Sequence, residues 1–358
     1  MRNRLKRIRS RLMPDCLIVT KPANVTYITG FTGSESWAVV SPKAVYLITD
    51  SRYVQQAADQ CRLCRIIERK GSMVEAVAGL LRKRRQIKAA AVEKTTSVAD
   101  FEGLKSRLTC RLKAAGGIIE SVRRTKDDSE IAAIRAAAKI AARAFEGALG
   151  QIRPGLSENQ VAGIVDFRIR KFGGKSSFET IVAFGANAAR PHHQPTGRKL
   201  RSNDTVLIDF GVRHNGYCCD LTRCFAVGRE STLYSRVYAA VGAAQAAALK
   251  VVRAGVEIRQ VDAAAREVIR KSSLPVYGHG TGHGLGLEVH ELPAVSNRAE
   301  GTLKAGDVIT IEPAVYMPGR LGVRIEDDIL VTQDGYVVLS RPPDFPLVAR
   351  PSRLVARR

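Results

Sequence analysis

Four carboxylates stand in or at the ends of strongly apolar runs: Asp209 in TVLIDFG, Asp220 in GYCCDLTRCF, Glu312 in DVITIEPAVY and Glu326 in GVRIEDDILVT. Between the first two lies Asn215-Gly216, a strong signal for a two-residue type I′ hairpin. With that pair at the turn, Asp209 falls opposite Thr222, and Asp220, two residues along, shares its sheet face. Two carboxylates pointing the same way repel one another unless a cation lies between them. A solvated strand face is the bland alternative, but an unpaired charge in a strand as apolar as that of Asp209 is costly. In GVRIEDDILVT the alternation places Arg324, Glu326 and Asp328 on one face of a strand.

Between the carboxylate pairs runs GHGTGHGLGLEVHE, with His279, His283 and His290 in a glycine-rich segment where backbone can approach a ligand closely. Four carboxylates with one imidazole carry too much negative charge for a single divalent ion and suit two that share ligands. Two ions about 3.5 to 4 Å apart can hold a water between them and polarise a scissile carbonyl. Oxygen-rich ligation favours Mn²⁺, and the imidazole leaves Co²⁺, Zn²⁺ and Fe²⁺ open. Tyr316, four residues after Glu312, either donates a hydrogen bond near this site or packs.

A weak internal repeat positions these residues. IRPGLSENQVAGIVDFRIRK from Ile152 aligns with VRAGVEIRQVDAAAREVIRK from Val252 at an offset of 100, each copy reading as a turn and an amphipathic helix. The copies continue into strands at an offset of 103, LRSNDTVLIDFG against LKAGDVITIEPA, which sets Asp209 on Glu312. Two pseudo-equivalent halves then bring acids together from both sides. Ahead of them a helix begins near Asp127 or Asp128, with Ile131, Ile134, Ala138 and Ala141 or Ala142 as its apolar stripe.

The first 120 residues alternate apolar runs with helical stretches: a first helix with Leu5, Ile8 and Leu12, the strand CLIVT, a turn at 21–24, SWAVVS, AVYLITD and a helix around Met73 to Leu81. That is an α/β pattern, closed by a linker-like stretch at 115–126. The 358 residues are 45% hydrophobic and 25% charged, which excludes a disordered tail or a disulfide-stapled mini-domain. The net charge of +23 is densest in residues 1–122, with 23 basic against 10 acidic side chains. No run approaches the roughly 18 apolar residues of a membrane span. Seven cysteines, including the CxxC of Cys61 and Cys64, fit a reducing compartment and read as structural thiols, with no zinc site.

The carboxylate and histidine motifs, with NVTYITGFTGSESWAVV and AVYLITDSRY near the N-terminus, resemble the Xaa-Pro peptidases (Xaa-Pro aminopeptidase and prolidase) of the pita-bread metallopeptidase family. The likeness covers nearly the whole length. It implies a creatinase-type α/β N-terminal domain at 1–122, an α+β pita-bread catalytic domain with an internal pseudo-two-fold duplication at 123–340, and a basic, proline-containing tail at 341–358. The ligands of two divalent ions are then Asp209, Asp220, His283, Glu312 and Glu326, with Asp220 and Glu326 bridging and Glu312 also taking a proton from water. His192 in GANAARPHHQPT and His290 in EVHE steady the tetrahedral intermediate, and a one-residue slip would give the first role to His193. His279 lines the proline-side pocket, and Arg324 supports the metal carboxylates. Ala189 and Arg190 depart from the small apolar pair that relatives carry before Pro-His.

The resemblance further implies a cytoplasmic metallopeptidase and homodimer that hydrolyses the bond before proline in dipeptides or at peptide N-termini, with neither membrane nor nucleic acid as partner. Dipeptidase and aminopeptidase both stay open. A metal-free scaffold that binds RNA or another anionic partner is the alternative that the charge suggests.

Overall fold

The computed structural model describes residues 2–12 and 14–340, so the expected tail at 341–358 lies outside the described residues. The chain forms two compact units, Met1–Arg123 and Arg124–Arg358. Among the described residues, no helix is long and apolar enough to cross a membrane.

The first unit begins with α1 (Arg2–Arg9), β1 (Cys16–Val19) and α2 (Pro22–Thr29). It continues through β2 (Ser36–Val40), β3 (Val45–Thr49), α3 (Val54–Gln60), β4 (Arg65–Glu68) and α4 (Met73–Arg82). It ends with β5 (Ala89–Glu93), α5 (Val98–Arg107), β6 (Arg111–Ala115) and α6 (Ile118–Arg123). The strands form one mixed sheet in the order β4-β3-β2-β1-β5-β6. On one face Cys16, Ile18, Val39, Ile48 and Val92 pack with Val77, Leu80 and Leu81 of α4 and Leu104 of α5.

Two sequence expectations are corrected here. The segment 21–24 is no free turn but the start of α2: Pro22 occupies the first helical turn, where a missing N–H costs nothing, and Gly30 closes the helix at φ 82°. The stretch 115–126 is likewise no open linker, because Ile119 and Val122 give α6 a buried face. There Arg123 donates to Asn24 Oδ1, and the Asn24 amide donates to Glu93 and Glu120, at 2.6 to 2.7 Å.

The second unit begins with α7 (Asp128–Leu149), which Asp127 caps in a reciprocal box with Glu130. There follow α8 (Glu158–Lys171), β7 (Lys175–Ser176), β8 (Ile181–Phe184), β9 (Thr205–His214) and β10 (Tyr217–Ala226). After α9 (Thr232–Val251) and α10 (Ile258–Lys271) come β11 (Gly282–Gly284), β12 (Glu291–Val295) and β13 (Val308–Ile311). The last strands are β14 (Ala314–Met317), β15 (Leu321–Arg324), β16 (Asp327–Val331) and β17 (Tyr336–Val338). β9 pairs with β10, β7 and β8; β13 pairs with β11 and β16.

The duplication is written into the backbone. Gly155 (φ 93°) and Gly255 (φ 86°) open the two copies, and each donates its N–H over 2.9 Å, to Leu200 and Leu303 respectively. Isolated bridges join Ser157 to Lys199 in one half and Glu257 to Thr302 in the other, and positive φ recurs at Asn203 and Gly306. Helices α7 and α8 pack over one sheet around Phe145, Ile169 and Phe210, and α9 and α10 over the other around Val241, Ile269 and Ile309.

GVRIEDDILVT is not one strand. It breaks after Arg324, so that β15 pairs with β14 in a separate two-stranded sheet while β16 returns to β13. Pro313 explains the break: it lacks the N–H that would carry the ladder of β13 past Glu312.

Candidate metal centre

The β9–β10 hairpin turns at Asn215 (φ 49°) and Gly216 (φ 85°), both in the left-handed region that a type I′ turn requires. His214 pairs with Tyr217, and the register carries through to Asp209 opposite Thr222 and Asp220 opposite Gly211. Asp209 and Asp220 are both buried. From the other half Glu312 follows β13 directly, its N–H donating to the Thr281 carbonyl at 2.8 Å, and buried Glu326 sits in the break between β15 and β16.

One donor atom each from Asp220, His283 and Glu326 gather within 4.8 Å of one another. His283 Nε2 stands 3.6 Å from Asp220 and 3.5 Å from Glu312. Its Nδ1 lies 3.1 Å from the Gly284 carbonyl, which can only accept, so the proton is on Nδ1 and the Nε2 lone pair faces the carboxylates. Gly282 and Gly284 allow this strand its place: a Cβ at Gly282 would lie 1.9 Å from the Thr310 carbonyl oxygen, and one at Gly284 2.2 Å from that of Leu292.

Arg324 ties the halves together. Its Nη2 donates to Asp209 at 2.5 Å, its Nε to Thr222 Oγ1 at 3.0 Å, and its Nη1 to the Tyr316 hydroxyl at 2.7 Å and the Pro191 carbonyl at 3.3 Å. Thr222 in turn donates its hydroxyl hydrogen bond to Glu326 Oε2 at 2.6 Å. His279 donates from Nδ1 to the Gly280 carbonyl, which leaves Nε2 to accept from Tyr316 at 3.1 Å. Tyr316 thus links Arg324 to His279. His290 lies edge-on to His283, with ring centroids 4.3 Å apart.

The electrostatics ask for a cation. Burial pushes Asp220 and Glu326 well above the usual carboxylate range, and repulsion from the neighbouring acids pushes the same way. Burial also lifts Glu312 to about 7, against the attraction of Arg324. Asp209 is raised for the same reason and drawn back by Arg324. Asp209 Oδ1 and Asp220 Oδ1 are buried with no hydrogen-bond partner. His283 is lowered to about 4, by burial first and His290 second, so its imidazole is neutral near pH 7, the form that binds metal. Orphaned carboxylate oxygens, oxygen-dominated donors and one neutral imidazole fit divalent cations.

The four acids, His279, His283, His290 and Arg324 line one cavity of about 710 Å³, and Tyr316 stands behind His279 and Arg324. His192 is exposed on its wall, whereas the buried His193 turns its Nε2 to Glu158 at 2.9 Å. Phe178, Ile181, Pro195, Val289 and Ala294 supply apolar wall. Sequence reasoning missed Thr310, whose hydroxyl accepts from the His283 N–H at 3.1 Å, and Arg223, which pairs with Asp327 at 2.7 Å behind the site. It had placed Thr222 opposite Asp209 without giving it a part.

Residues 132–333 match the model of metallopeptidase family M24, and residues 1–125 match the creatinase/prolidase N-terminal domain. The chain belongs to metallopeptidase family M24. It is 36% identical to the Bacillus subtilis peptidase YqhT over 95% of this chain and 97% of that one. Its fold is similar to an Xaa-Pro dipeptidase from Bacillus anthracis, with a TM-score of 0.93 at 35% identity over 97% of this chain and 99% of the other. An X-Pro aminopeptidase from Thermotoga maritima gives a TM-score of 0.89 at 34% identity over 97% and 100%. The architecture is therefore a creatinase-type N-terminal domain followed by a pita-bread catalytic domain, and the family implies divalent metal.

Proposed function

We propose that this protein hydrolyses the peptide bond before proline, in dipeptides or at peptide N-termini. The observation that carries the reading is the meeting of Asp220, His283 and Glu326 from two halves of a duplicated fold, with Glu312 3.5 Å from the same imidazole. The similar dipeptidase and aminopeptidase give the bond type. Proline needs a dedicated enzyme because its ring fixes φ and removes the N–H by which other peptidases align a substrate.

In this reading Asp209, Asp220, His283, Glu312 and Glu326 hold two divalent ions, Mn²⁺ by preference and Co²⁺, Zn²⁺ or Fe²⁺ as substitutes. Such ions supply an activated water and polarise the scissile carbonyl. Glu312 receives a proton on one carboxylate oxygen and delivers it to the departing prolyl nitrogen. His192 and His290 hydrogen-bond the oxyanion as it develops. His279, backed by Tyr316, borders the proline side, and Arg324 fixes Asp209 and, through Thr222, Glu326. Seven free cysteines support a cytoplasmic setting. The protein acts as a homodimer, which light scattering tests. The RNA-binding alternative has only the +23 charge behind it.

The deciding experiment supplies purified protein with each divalent ion in turn and follows cleavage of Ala-Pro and Ala-Pro-Ala. Release of proline from the first, or of alanine from both, is expected with Mn²⁺; no cleavage with any ion overturns the reading.

A further inference from the structure

The segment between β8 and β9 that carries His192 is tied to a charge lying outside the metal centre. Glu158, the first residue of α8, is fully buried. Its Oε1 accepts from the Phe184 N–H and from Asn187 Nδ2, both at 2.8 Å. Its Oε2 accepts from the Thr196 N–H at 3.0 Å, the Thr196 hydroxyl at 2.6 Å and His193 Nε2 at 2.9 Å. All five donors fall within 184–196. Burial raises this carboxyl, but the bonds from His193, Thr196, Asn187 and Phe184 outweigh it and hold the group below its ordinary range, so Glu158 is ionised and only accepts.

The opposite side of the segment is held as well. A Cβ at Gly322 would lie 1.8 Å from the Ala188 carbonyl oxygen, and Arg324 donates to the Pro191 carbonyl at 3.3 Å. His192 therefore projects into the cavity from a strap fixed at both edges, one edge by the guanidinium that also holds Asp209. Ordering a loop does not require a buried charge, which is costly to desolvate. What charge adds is bond strength and direction, both of which matter where a donor must meet a reacting atom.

We propose that Glu158 is a positioning residue: through Asn187, His193 and Thr196 it sets the strap that aims His192 at the substrate. This rests on the Xaa-Pro reading of the cavity. It also gives the two adjacent histidines separate parts, His192 toward substrate and His193 toward the anchor.

Glu158→Gln tests it with little change of volume. Each Glu158 oxygen accepts from a main-chain N–H, so the new amide must turn its NH₂ against Phe184 or Thr196. In Mn²⁺-loaded protein, kcat on Ala-Pro is expected to fall about ten- to a hundredfold while KM stays within about threefold. His193→Leu should behave alike, and His193→Gln, which keeps a donor near Nε2, should recover most of the rate. Metal content should not change, and amide exchange at Phe184 and Thr196 should accelerate in Glu158→Gln. A wild-type kcat in Glu158→Gln, a loss confined to KM, or unaltered exchange would each overturn the proposal. If Glu158→Gln does not fold, Thr196→Val removes a donor from the strap instead and carries the same expectation with a smaller loss. A wild-type protein inactive with every ion would retire the peptidase reading and the catalytic role with it, while exchange would still report separately whether Glu158 holds the strap.

Discussion

The two halves of the catalytic unit tether their site segments with opposite charges at matched positions. Asp166 in α8 accepts from Ser176 and Thr180 hydroxyls at 2.8 and 2.7 Å, holding the segment of Phe178 and Glu179 on the cavity wall. One hundred residues on, Arg266 in α10 pairs with Asp262 and donates to the Tyr277 and His279 carbonyls at 2.7 and 2.5 Å. Asp262 in turn accepts from the Thr281 N–H and hydroxyl. Duplication has kept the task of tying the helix to the segment that enters the site, and has let the chemistry of the tie reverse sign. The acids diverge too. Asp209 and Asp220 come from a continuous hairpin, whereas Glu312 and Glu326 flank a break at Pro313.

Both halves should be indispensable, which gives the largest expected effect. Asp220→Asn and Glu326→Gln should each lower metal content, measured by plasma mass spectrometry, and reduce kcat/KM on Ala-Pro by at least about a hundredfold. If only one variant lost metal, the halves would not share a centre. Next comes Arg324→Lys, which cannot span Asp209, Thr222, Tyr316 and Pro191 at once; a loss of about ten- to a hundredfold in kcat/KM is expected. An equal loss in Tyr316→Phe would move the cause from the carboxylates to His279.

The tethers should differ in stability. Arg266→Gln strips the buried Asp262 of its cation and should cost about 3 kcal/mol in urea unfolding. Asp166→Asn exchanges one acceptor for another and should cost about 1 kcal/mol. The reverse order would show that the sign of the tie does not matter. The smallest effect is acid sensitivity. Glu158 lies below its ordinary 4.5 in the fold, so its contribution is complete above pH 4.5 and is lost as pH falls through the folded-state value. The thermal midpoint of Glu158→Gln should therefore depend less steeply on pH than that of the wild type below 4.5.

What could be read from the chain was whatever local chemistry determines. Asn215-Gly216 admits one tight turn, and a tight turn fixes the register, so the pairing of Asp209 with Thr222 followed from two residues. The repeat was legible because helix and strand periods survive divergence, and its offsets of 100 and 103 reappear in the backbone bridges and positive φ values. The turn at 21–24 and the single strand over GVRIEDDILVT were misjudged because the effect of Pro22 and of Pro313 depends on which N–H the neighbouring element needs. Glu158, Asp166, Asp262 and Arg266 gave no signal, since on a helix a charge normally means solvent, and only the packed structure shows where a distant segment supplies its donors.

Strand β10 is buried over its whole length and bears Cys218, Cys219 and Cys224 beside Asp220. Burial lifts the Cys218 and Cys224 thiols to about 12 and pushes Cys219 well above its ordinary range, which withholds the thiolate that oxidants and alkylating agents attack. Half-exposed Cys64 and Cys110 lie in the other unit. Burial raises Cys110 as well and the hydrogen bond with Cys61 raises Cys64, but that same bond lowers Cys61, so thiolate chemistry is least withheld at the Cys61–Cys64 pair, in the unit that does not carry the carboxylates.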